Sequence, residues 1–230
     1  MKVKIYQINP EKDADRIRFF SYDDTIKIKG RIDASIYRTV YDGNVDCGDL
    51  EDVFGLLNTT CPIGYNGHSL AVSDIVEVVE PVDNIHGFYF CDIIGYRKTD
   101  FDSSKAEPMS GKKMVVVEPG RPAYAAVIGD DLKSLQKAVD GYIECTYPFE
   151  DNAFVIGNEE AKLISMKGNR HINGAIYAGP LLIAGDDGAG GTVDLTDEQI
   201  RLYAEMFAEP EEITDEQVQA DTGFVFFSVS

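Results

Sequence analysis

Residues 70–97 read LAVSDIVEVVEPVDNIHGFYFCDIIGYR and give the clearest indication of the fold. Two runs rich in apolar, β-branched and aromatic side chains, 70–79 and 87–97, flank a segment rich in Pro, Asp, Asn and Gly. This order predicts two strands joined by a turn. An antiparallel hairpin is the simplest arrangement of two such strands. The stretch therefore favours a sheet built from antiparallel pairs.

Two strands and one helix are predicted before this hairpin. Residues 1–8 (MKVKIYQI) alternate polar and apolar side chains, which is typical of a half-buried strand. Residues 34–41 (ASIYRTVY) predict a further strand. Asn9 and Pro10 resemble an N-cap followed by a proline at the first helical position. We therefore expect a short helix from there to about Phe19.

A second helix is predicted over residues 50–58, with Asp49 as its N-cap. Its apolar side chains recur at helical spacing and would face the core: Leu50, Val53, Phe54 and Leu57. Residues 101–112 (FDSSKAEPMSGK) then combine Ser, Pro, Gly and charge with little apolar content. That composition is typical of a domain boundary, so we expect the first domain to end there.

The second half of the chain predicts another set of strands and helices. A helix is expected at about 131–140, because Leu132, Leu135 and Val139 would share one face. The segments that predict strands are 112–119, 142–147, 153–156 and 175–184.

Two capping boxes mark the C-terminal region. Thr196 to Gln199 (TDEQ) predicts a helix start, since the threonine and glutamine side chains can each satisfy a free backbone N–H. The apolar stripe that follows is Ile200, Tyr203, Ala204 and Phe207, and the helix is expected to end near Ala208. The same motif at Thr214 to Gln217 predicts a short second helix, and the terminal GFVFFSVS is prone to form a strand.

These elements place the chain in the α+β class. We expect two small domains, each a mostly antiparallel sheet with one or two helices. The domains are predicted at residues 1–106 and 112–208, followed by an acidic tail, 209–230, that ends in the strand-prone segment. A length of 230 residues is enough for two modest hydrophobic cores.

The net charge of −19 is concentrated near the C-terminus. Residues 186–230 carry 12 acidic and one basic side chain, whereas residues 1–111 carry 19 and 12. Such a surplus repels phosphate backbones and anionic membrane surfaces, so neither direct nucleic-acid binding nor membrane binding is expected. It favours attraction to basic proteins, although solubility alone is a simpler explanation of acidic surfaces.

The four cysteines predict neither a disulfide framework nor a zinc site, because none of them forms a closely spaced ligand pair. They are Cys47, Cys61, Cys91 and Cys145. We see no secretion signal or membrane-spanning run, and expect a cytoplasmic protein with free thiols and without a cofactor. Cys61, His68 and Asp74 can be written as a nucleophilic triad, yet triads are recognised by geometry, so no catalytic residue is predicted.

Two polar islands between apolar stretches form the candidate ligand site. Their residues are Asn158, Glu159, Glu160, Asn169, Arg170 and His171. Guanidinium and carboxamide groups supply oriented donors for an anion or an amide, but turn formation explains the asparagines equally well. The glycine-rich loop 185–194 lacks the Lys of a phosphate-binding loop. Its aspartates suit calcium or, more simply, a flexible hairpin loop.

Several of these motifs resemble known families. GHSLAVSDIVEVVE (67–80) and GFYFCDIIGYRKTDF (87–101) resemble the YodL-like domain, over about residues 3–102. VIGNEEAK, GNRHINGAIYAGPLLIAGDD and DLTDEQI resemble an uncharacterised domain family carried by phages and conjugative elements of Gram-positive bacteria, over about residues 115–207. Neither resemblance implies a catalytic residue, a cofactor or a substrate. Both imply an accessory protein of a mobile element.

Two hypotheses for function remain open at the level of sequence. In the first, the chain is a non-enzymatic interaction protein whose acidic tail binds a basic host or element protein. The partner-binding residues would be Glu209, Glu211, Glu212, Asp215 and Glu216. One version is anti-defence by nucleic-acid mimicry, in which arrayed carboxylates replace phosphates. In the second, an enzyme or small-ligand-binding protein uses the region from Asn158 to His171, which requires a concave pocket.

Overall fold

The computed structural model describes residues 1–221, and the chain divides into two compact units after Met109. Each unit is mainly antiparallel sheet with a few helices, so the α+β class with two small domains is confirmed. The boundary segment contributes to the first unit, because Phe101 and Ala106 are buried in its core. The predicted strand GFVFFSVS lies outside the described residues.

Five strands form the sheet of the first unit: β1 (Lys2–Ile8), β2 (Tyr37–Asn44), β3 (Ile75–Val82), β4 (Ile85–Cys91) and β5 (Tyr96–Thr99). They lie in the order β5-β4-β3-β1-β2, and every neighbouring pair is antiparallel. The predicted hairpin is confirmed as β3 and β4. Asp83 and Asn84 form its two-residue turn, both with positive φ, as turns that match the twist of a hairpin require. Residues 70–74 and 92–95, which were predicted as parts of these two strands, are loop instead, and Tyr96 and Arg97 belong to the separate strand β5.

The predicted helix from Pro10 to Phe19 is wrong. Residues 10–19 form turns, and the first helix is α1 (Tyr22–Lys29), which is capped by Ser21. The Asp13 carboxylate accepts hydrogen bonds from the N–H groups of Ile17 and Arg18 at 2.9 and 3.0 Å. Such side-chain acceptors offer the backbone an alternative to helical hydrogen bonds.

The second helix of this unit confirms the prediction from its N-cap. It is α2 (Leu50–Thr59), and the Asp49 side chain accepts from the N–H of Asp52. Val53 and Leu57 are fully buried, whereas Phe54, from the same predicted stripe, is 39% exposed. The helix therefore contacts the core along a narrower stripe than its sequence predicts.

The sheet of the second unit contains five strands in the order β7-β6-β12-β9-β8, with β13 paired to β12. A separate ribbon contains β10 and β11. The strands are β6 (Lys112–Val117), β7 (Tyr124–Ile128), β8 (Ile143–Thr146), β9 (Ala153–Asn158), β10 (Gly168–Ile172), β11 (Ala175–Ala178), β12 (Leu181–Asp186) and β13 (Thr192–Val193). The predicted strand 175–184 is two strands, β11 and β12, separated at Gly179 and Pro180. β7, β10 and β13 were not predicted.

Three helices complete this unit: α3 (Leu132–Val139), α4 (Asp197–Met206) and α5 (Asp215–Ala220). Both predicted capping boxes are confirmed, at Thr196 with Gln199 and at Thr214 with Gln217. Tyr203 on α4 and the following Phe207 are buried in the core formed by strands β6, β9 and β12.

The segment 209–221 is not an appended tail. Ile213 and Val218 are buried in a small apolar cluster with Ala161, Ile176 and Ala178. Gly168 lies so close to this segment that a Cβ there would be 2.6 Å from the Ile213 Cβ. The apolar residues Ile213 and Val218 lie five apart among acidic neighbours, so their burial is not evident from charge composition. Residues 209–221 belong to the folded second unit.

Candidate functional site

The predicted ligand patch is divided between buried and exposed residues. Asn158, Asn169 and Arg170 are buried, while Glu159, Glu160 and His171 are exposed. The Asn158 amide donates to the carbonyl oxygens of Val139 and Asp140, and its oxygen accepts from the N–H of Glu160. Its amide and its oxygen therefore bond to backbone groups, as buried carboxamides require.

Arg170 is one of the largest fully buried side chains described, at 1% exposure. Its guanidinium donates to the carbonyl oxygens of Asn169, Arg121 and Phe207 at 2.8 to 3.1 Å, and to the Asn169 side chain at 3.1 Å. The Asn169 amide in turn donates to the carbonyl oxygens of Val117 and Gly179. Arg170 therefore joins β10 to the loop after β6 and to the end of α4.

These contacts make the predicted patch a structural network. A ligand site needs donors that converge on an open pocket. Here the amides of Asn158 and Asn169 and both terminal nitrogens of Arg170 donate to backbone carbonyls, and the buried Nε of Arg170 has no hydrogen-bond partner among the described residues. The exposed member, His171, contacts Glu211: its Nδ1 lies 2.6 Å from the carboxylate, and its backbone N–H donates to the same side chain. The predicted ligand region and the predicted acidic region thus meet at this pair.

The predicted partner-binding carboxylates lie between α4 and the first turn of α5. Glu209, Glu212, Asp215 and Glu216 are exposed, and Glu211 is half-buried against His171. Within residues 1–221, no Lys, Arg or His lies within salt-bridge distance of the four exposed carboxylates. They are therefore not neutralised by cations from the rest of the described chain.

A second cluster, in the first unit, centres on a buried carboxyl group. Asp74, in the loop before β3, is 0% exposed. Its Oδ2 accepts from the Gln7 side chain at 3.0 Å and from the N–H of Ala71 at 2.9 Å. Burial raises the pKa of the Asp74 carboxyl to about 8, against the weaker lowering effect of its hydrogen bonds and of Arg18. A pKa in this range favours the protonated form of Asp74 at neutral pH.

His68 faces the other oxygen of this carboxyl group. Its Nδ1 lies 2.7 Å from the carbonyl oxygen of Ser69, which only accepts, and 3.2 Å from the amide nitrogen of Gln7, which only donates. Its Nε2 lies 3.8 Å from Asp74 Oδ1. Both atoms are buried and have no other partner among the described residues. The 3.8 Å between them is too long for a hydrogen bond.

The surrounding backbone is held in unusual conformations. Ser73 and Phe19 both have positive φ, at 79° and 71°, and the Ser73 hydroxyl accepts from the N–H of Phe19. The Tyr37 hydroxyl donates to the carbonyl of Ser73. Such strained residues persist only where surrounding contacts determine them. The loop carrying Asp74 is thus tightly fixed against residues from β2 and from the 10–20 turns.

The structure brings together two members of the triad that the sequence allows, but not the third. His68 and Asp74 are neighbours, whereas the Cys61 thiol donates to the carbonyl of Leu57 and caps α2. Neither ring nitrogen of His68 is left for a thiol, because one faces Ser69 and the other Asp74. The contacts of these residues thus do not form a nucleophilic triad, and no catalytic residue was predicted. Gln7 and Arg18 were missed, since isolated polar residues in a strand or turn carry no sequence signal of a shared contact.

Within residues 1–221, no three His, Cys, Asp or Glu side chains are grouped as metal ligands would be. In the same residues, no helix has the length and apolar character required to cross a bilayer.

Comparison with known families follows the division into two units. A YodL-like domain model matches residues 2–101 and a second model, a domain of unknown function (DUF3846), matches residues 112–208. The chain carries a YodL-like domain followed by a DUF3846 domain. Both predicted resemblances are confirmed, with boundaries that differ by at most three residues. No curated protein and no solved structure shows significant similarity to the chain.

The buried Asp74 and His68 pair and the Arg170 network lie in different domains. The buried Asp74 and His68 pair belongs to the YodL-like domain and lies in its GHS and SD motifs. The Arg170 network belongs to the DUF3846 domain, and the exposed carboxylates follow directly after the matched residues. Of these features, the carboxylates are the group in which several charged side chains are exposed to solvent.

Proposed function

We propose that the chain is a protein-interaction module of a mobile genetic element, and that it binds a basic host or element protein through acidic residues at the end of the DUF3846 domain. The acidic segment is residues 205–216, with five exposed carboxylates: Glu205, Glu209, Glu212, Asp215 and Glu216. Within residues 1–221, none of these five has a cation at salt-bridge distance. This unneutralised charge is the observation that carries the proposal.

The acidic segment is also held in place by the fold. Ile213 and Val218 anchor it in the apolar cluster, and Asp221 pairs with Lys162 at 2.6 Å and accepts from the N–H of Ile176. A fixed segment loses less conformational entropy on binding than a free tail. The burial that corrects the tail prediction thus supports recognition of a partner through an ordered surface.

Charge chemistry selects the class of partner. Exposed like charges act at long range and steer oppositely charged proteins, while they repel nucleic acid. Mimicry of a nucleic acid, in which these carboxylates take the place of phosphates on a basic protein, is the specific form that an anti-defence role would take. The competing ligand-binding hypothesis is not favoured, because Arg170, Asn158 and Asn169 donate to backbone carbonyls.

The test is partner capture from host cytosol across a salt series. The variant replaces Glu209, Glu212, Asp215 and Glu216 by Gln or Asn, and the matched control makes the same changes at Asp46, Glu51, Glu80 and Asp100, which are exposed residues of the YodL-like domain. We expect a basic protein to be captured by the parent and the control but not by the variant. Capture should weaken with salt, because the Debye length falls from about 10 Å at 0.1 M to about 3 Å at 1 M. Equal capture by all three proteins, with equal salt slopes, would contradict the proposal.

A further inference from the structure

Strand β8 has one side that is open in the described structure. Among residues 1–221 it pairs with β9 alone, in the register Ile143 to Asn158 through Thr146 to Val155. The N–H of Glu159 donates to the carbonyl of Tyr142, so these two residues are a hydrogen-bonded pair next to β8. Because hydrogen-bonded pairs alternate along an antiparallel ladder, Glu144 and Thr146 bond to β9. The N–H and C=O groups of Ile143 and Cys145 then point to the open side.

Two clefts lie on the two faces of this strand. Glu144 and Thr146 line one, of about 410 Å³, together with Glu159, Lys162, Tyr177 and Asp221. Ile143, Cys145 and Tyr147 line the other, of about 330 Å³, together with Leu132, Phe154 and Ile156. This division follows from the period-two alternation of a strand. An added strand would send its own alternate side chains toward the same two clefts.

The two clefts differ in chemistry. The first has three carboxylates, of Glu144, Glu159 and Asp221, and one cation, Lys162, which is already paired with Asp221. Partial burial raises the pKa of Glu144, an effect that Glu159 increases and Lys162 reduces. A cationic side chain would compensate the uncancelled negative charge there. The second cleft is lined mainly by apolar and aromatic side chains.

Apolar side chains are exposed around the open edge. Tyr142 and Tyr147 flank β8 and are 63% and 62% exposed, and Leu132 and Leu163 at the rims of the clefts are similarly exposed. Edge strands are usually protected by charge, proline or a covering element, since free backbone groups invite another strand. Here the edge is bordered by aromatic residues, which are enriched in the binding surfaces of proteins.

We propose that the edge of β8 is a docking site for an extended segment of a partner protein in which basic and apolar residues alternate. The segment adds as a strand to Ile143 and Cys145, its basic side chains face Glu144 and Glu159, and its apolar side chains face Leu132 and Tyr147. Backbone hydrogen bonds would supply affinity and the two clefts specificity. This site is separate from the acidic segment 205–216 and does not depend on it.

The negative charge at the edge of β8 favours a basic partner over two other candidate occupants, a second copy of β8 and residues 222–230. A second copy of β8 would bring its own Glu144 to an edge that is already acidic. Residues 222–230 (TGFVFFSVS) contain no Lys or Arg to meet the carboxylates. Of these three occupants, a segment in which basic and apolar residues alternate is the one that suits both clefts.

The test uses a labelled, end-blocked peptide of alternating Arg and Val, with a block-ordered peptide of the same composition as its control. We expect the alternating peptide to bind the full chain at least about tenfold more tightly than the block-ordered one. Its binding should slow hydrogen exchange at the amides of Ile143 and Cys145, because those groups become donors. Equal affinity of the two peptides, or unchanged exchange, would show only general attraction to an acidic protein and would overturn the proposal.

Two variants locate the binding. Glu144→Arg with Glu159→Arg reverses the charge of the first cleft and should weaken peptide binding about tenfold or more, whereas the four-residue variant of the acidic segment should leave it unchanged. Cys145→Pro removes an edge donor that β9 does not use, and should abolish binding while the melting temperature reports folding. A chain truncated after Asp221 tests self-occupancy. If truncation raises peptide affinity tenfold or more, the terminal segment is the occupant of the edge, and the proposal of an external partner is wrong.

Discussion

The buried Asp74 carboxyl predicts a specific stability change for Asp74→Asn. Asp74 is fully buried with a pKa of about 8, compared with 3.8 for an unperturbed group. A carboxyl whose folded pKa is raised favours the folded state fully below pH 3.8, and that stability is lost as pH rises toward 8. At pH 7 the linkage amounts to about 4 kcal/mol of lost stability, from ~1.4 kcal/mol for each unit of pKa.

Asparagine has the shape and hydrogen-bonding pattern of the protonated acid. Its oxygen can accept from Gln7 and Ala71 as Oδ2 does, and its amide can donate toward His68 Nε2. Because asparagine does not titrate, Asp74→Asn should match the parent near pH 4 and be more stable by about 4 kcal/mol at pH 7. His68, whose pKa is lowered by burial, acts in the opposite direction below its ordinary pKa, but it is present in both proteins and cancels in the difference.

The assay is urea unfolding of parent and variant from about pH 4 to pH 9, followed by circular dichroism and by hydrogen exchange of β3 amides. The exposed Asp46→Asn serves as the control and should change stability by less than about 0.5 kcal/mol at each pH. If Asp74→Asn is less stable than the parent at pH 8, or keeps the slope of the parent between pH 5 and 8, then the carboxyl is ionised in the fold at neutral pH and the raised pKa is wrong.

Three further substitutions test the second unit. Thr196→Ala should destabilise it by about 1 kcal/mol through loss of the N-cap of α4, and a shift in melting too small to detect would place the helix start elsewhere. Ile213→Ala should cost about 2 kcal/mol or more, because the side chain is buried in the cluster with Val218; a neutral effect in thermal melting would mean that residues 209–221 are an appended tail after all. Gly168→Ala should release that segment, because the new Cβ would lie 2.6 Å from Ile213, and limited proteolysis should then cleave near Glu212 in the variant but not in the parent.

Elements with local signals were predicted correctly. The capping boxes at Thr196 and Thr214 and the cap at Asp49 each place side-chain acceptors within four residues of the N–H groups they satisfy. The β3 and β4 hairpin is likewise defined by two strands and the turn between them. The helix predicted after Pro10 does not form, for a related reason. The Asp13 carboxylate accepts hydrogen bonds from two nearby N–H groups, and this contact spans as few residues as the hydrogen bonds of a helix with which it competes.

The sites were only partly accessible to prediction. The sequence identified Arg170, Asn158 and Asn169 as polar residues in apolar surroundings, and the structure shows that their donors satisfy backbone carbonyls brought from distant parts of the chain. It also indicated the density of carboxylates after residue 208, but not that Ile213 and Val218 hold this segment on the fold. Whether a polar group binds a ligand or a carbonyl depends on its partner, and that partner is far away in sequence.

The sequence by itself therefore determined the α+β class, the two domains, most strands and the starts of α2, α3, α4 and α5, because periodicity, turn residues and capping act over a few positions. Only the tertiary structure decided which polar residues are structural, that Asp74 is buried beside His68, and that the acidic end is ordered. Gln7 and Asp74 are 67 residues apart, and Arg170 and Phe207 are 37 apart. Contacts at such separation depend on how whole elements pack, and burial then sets the charge and availability of each side chain.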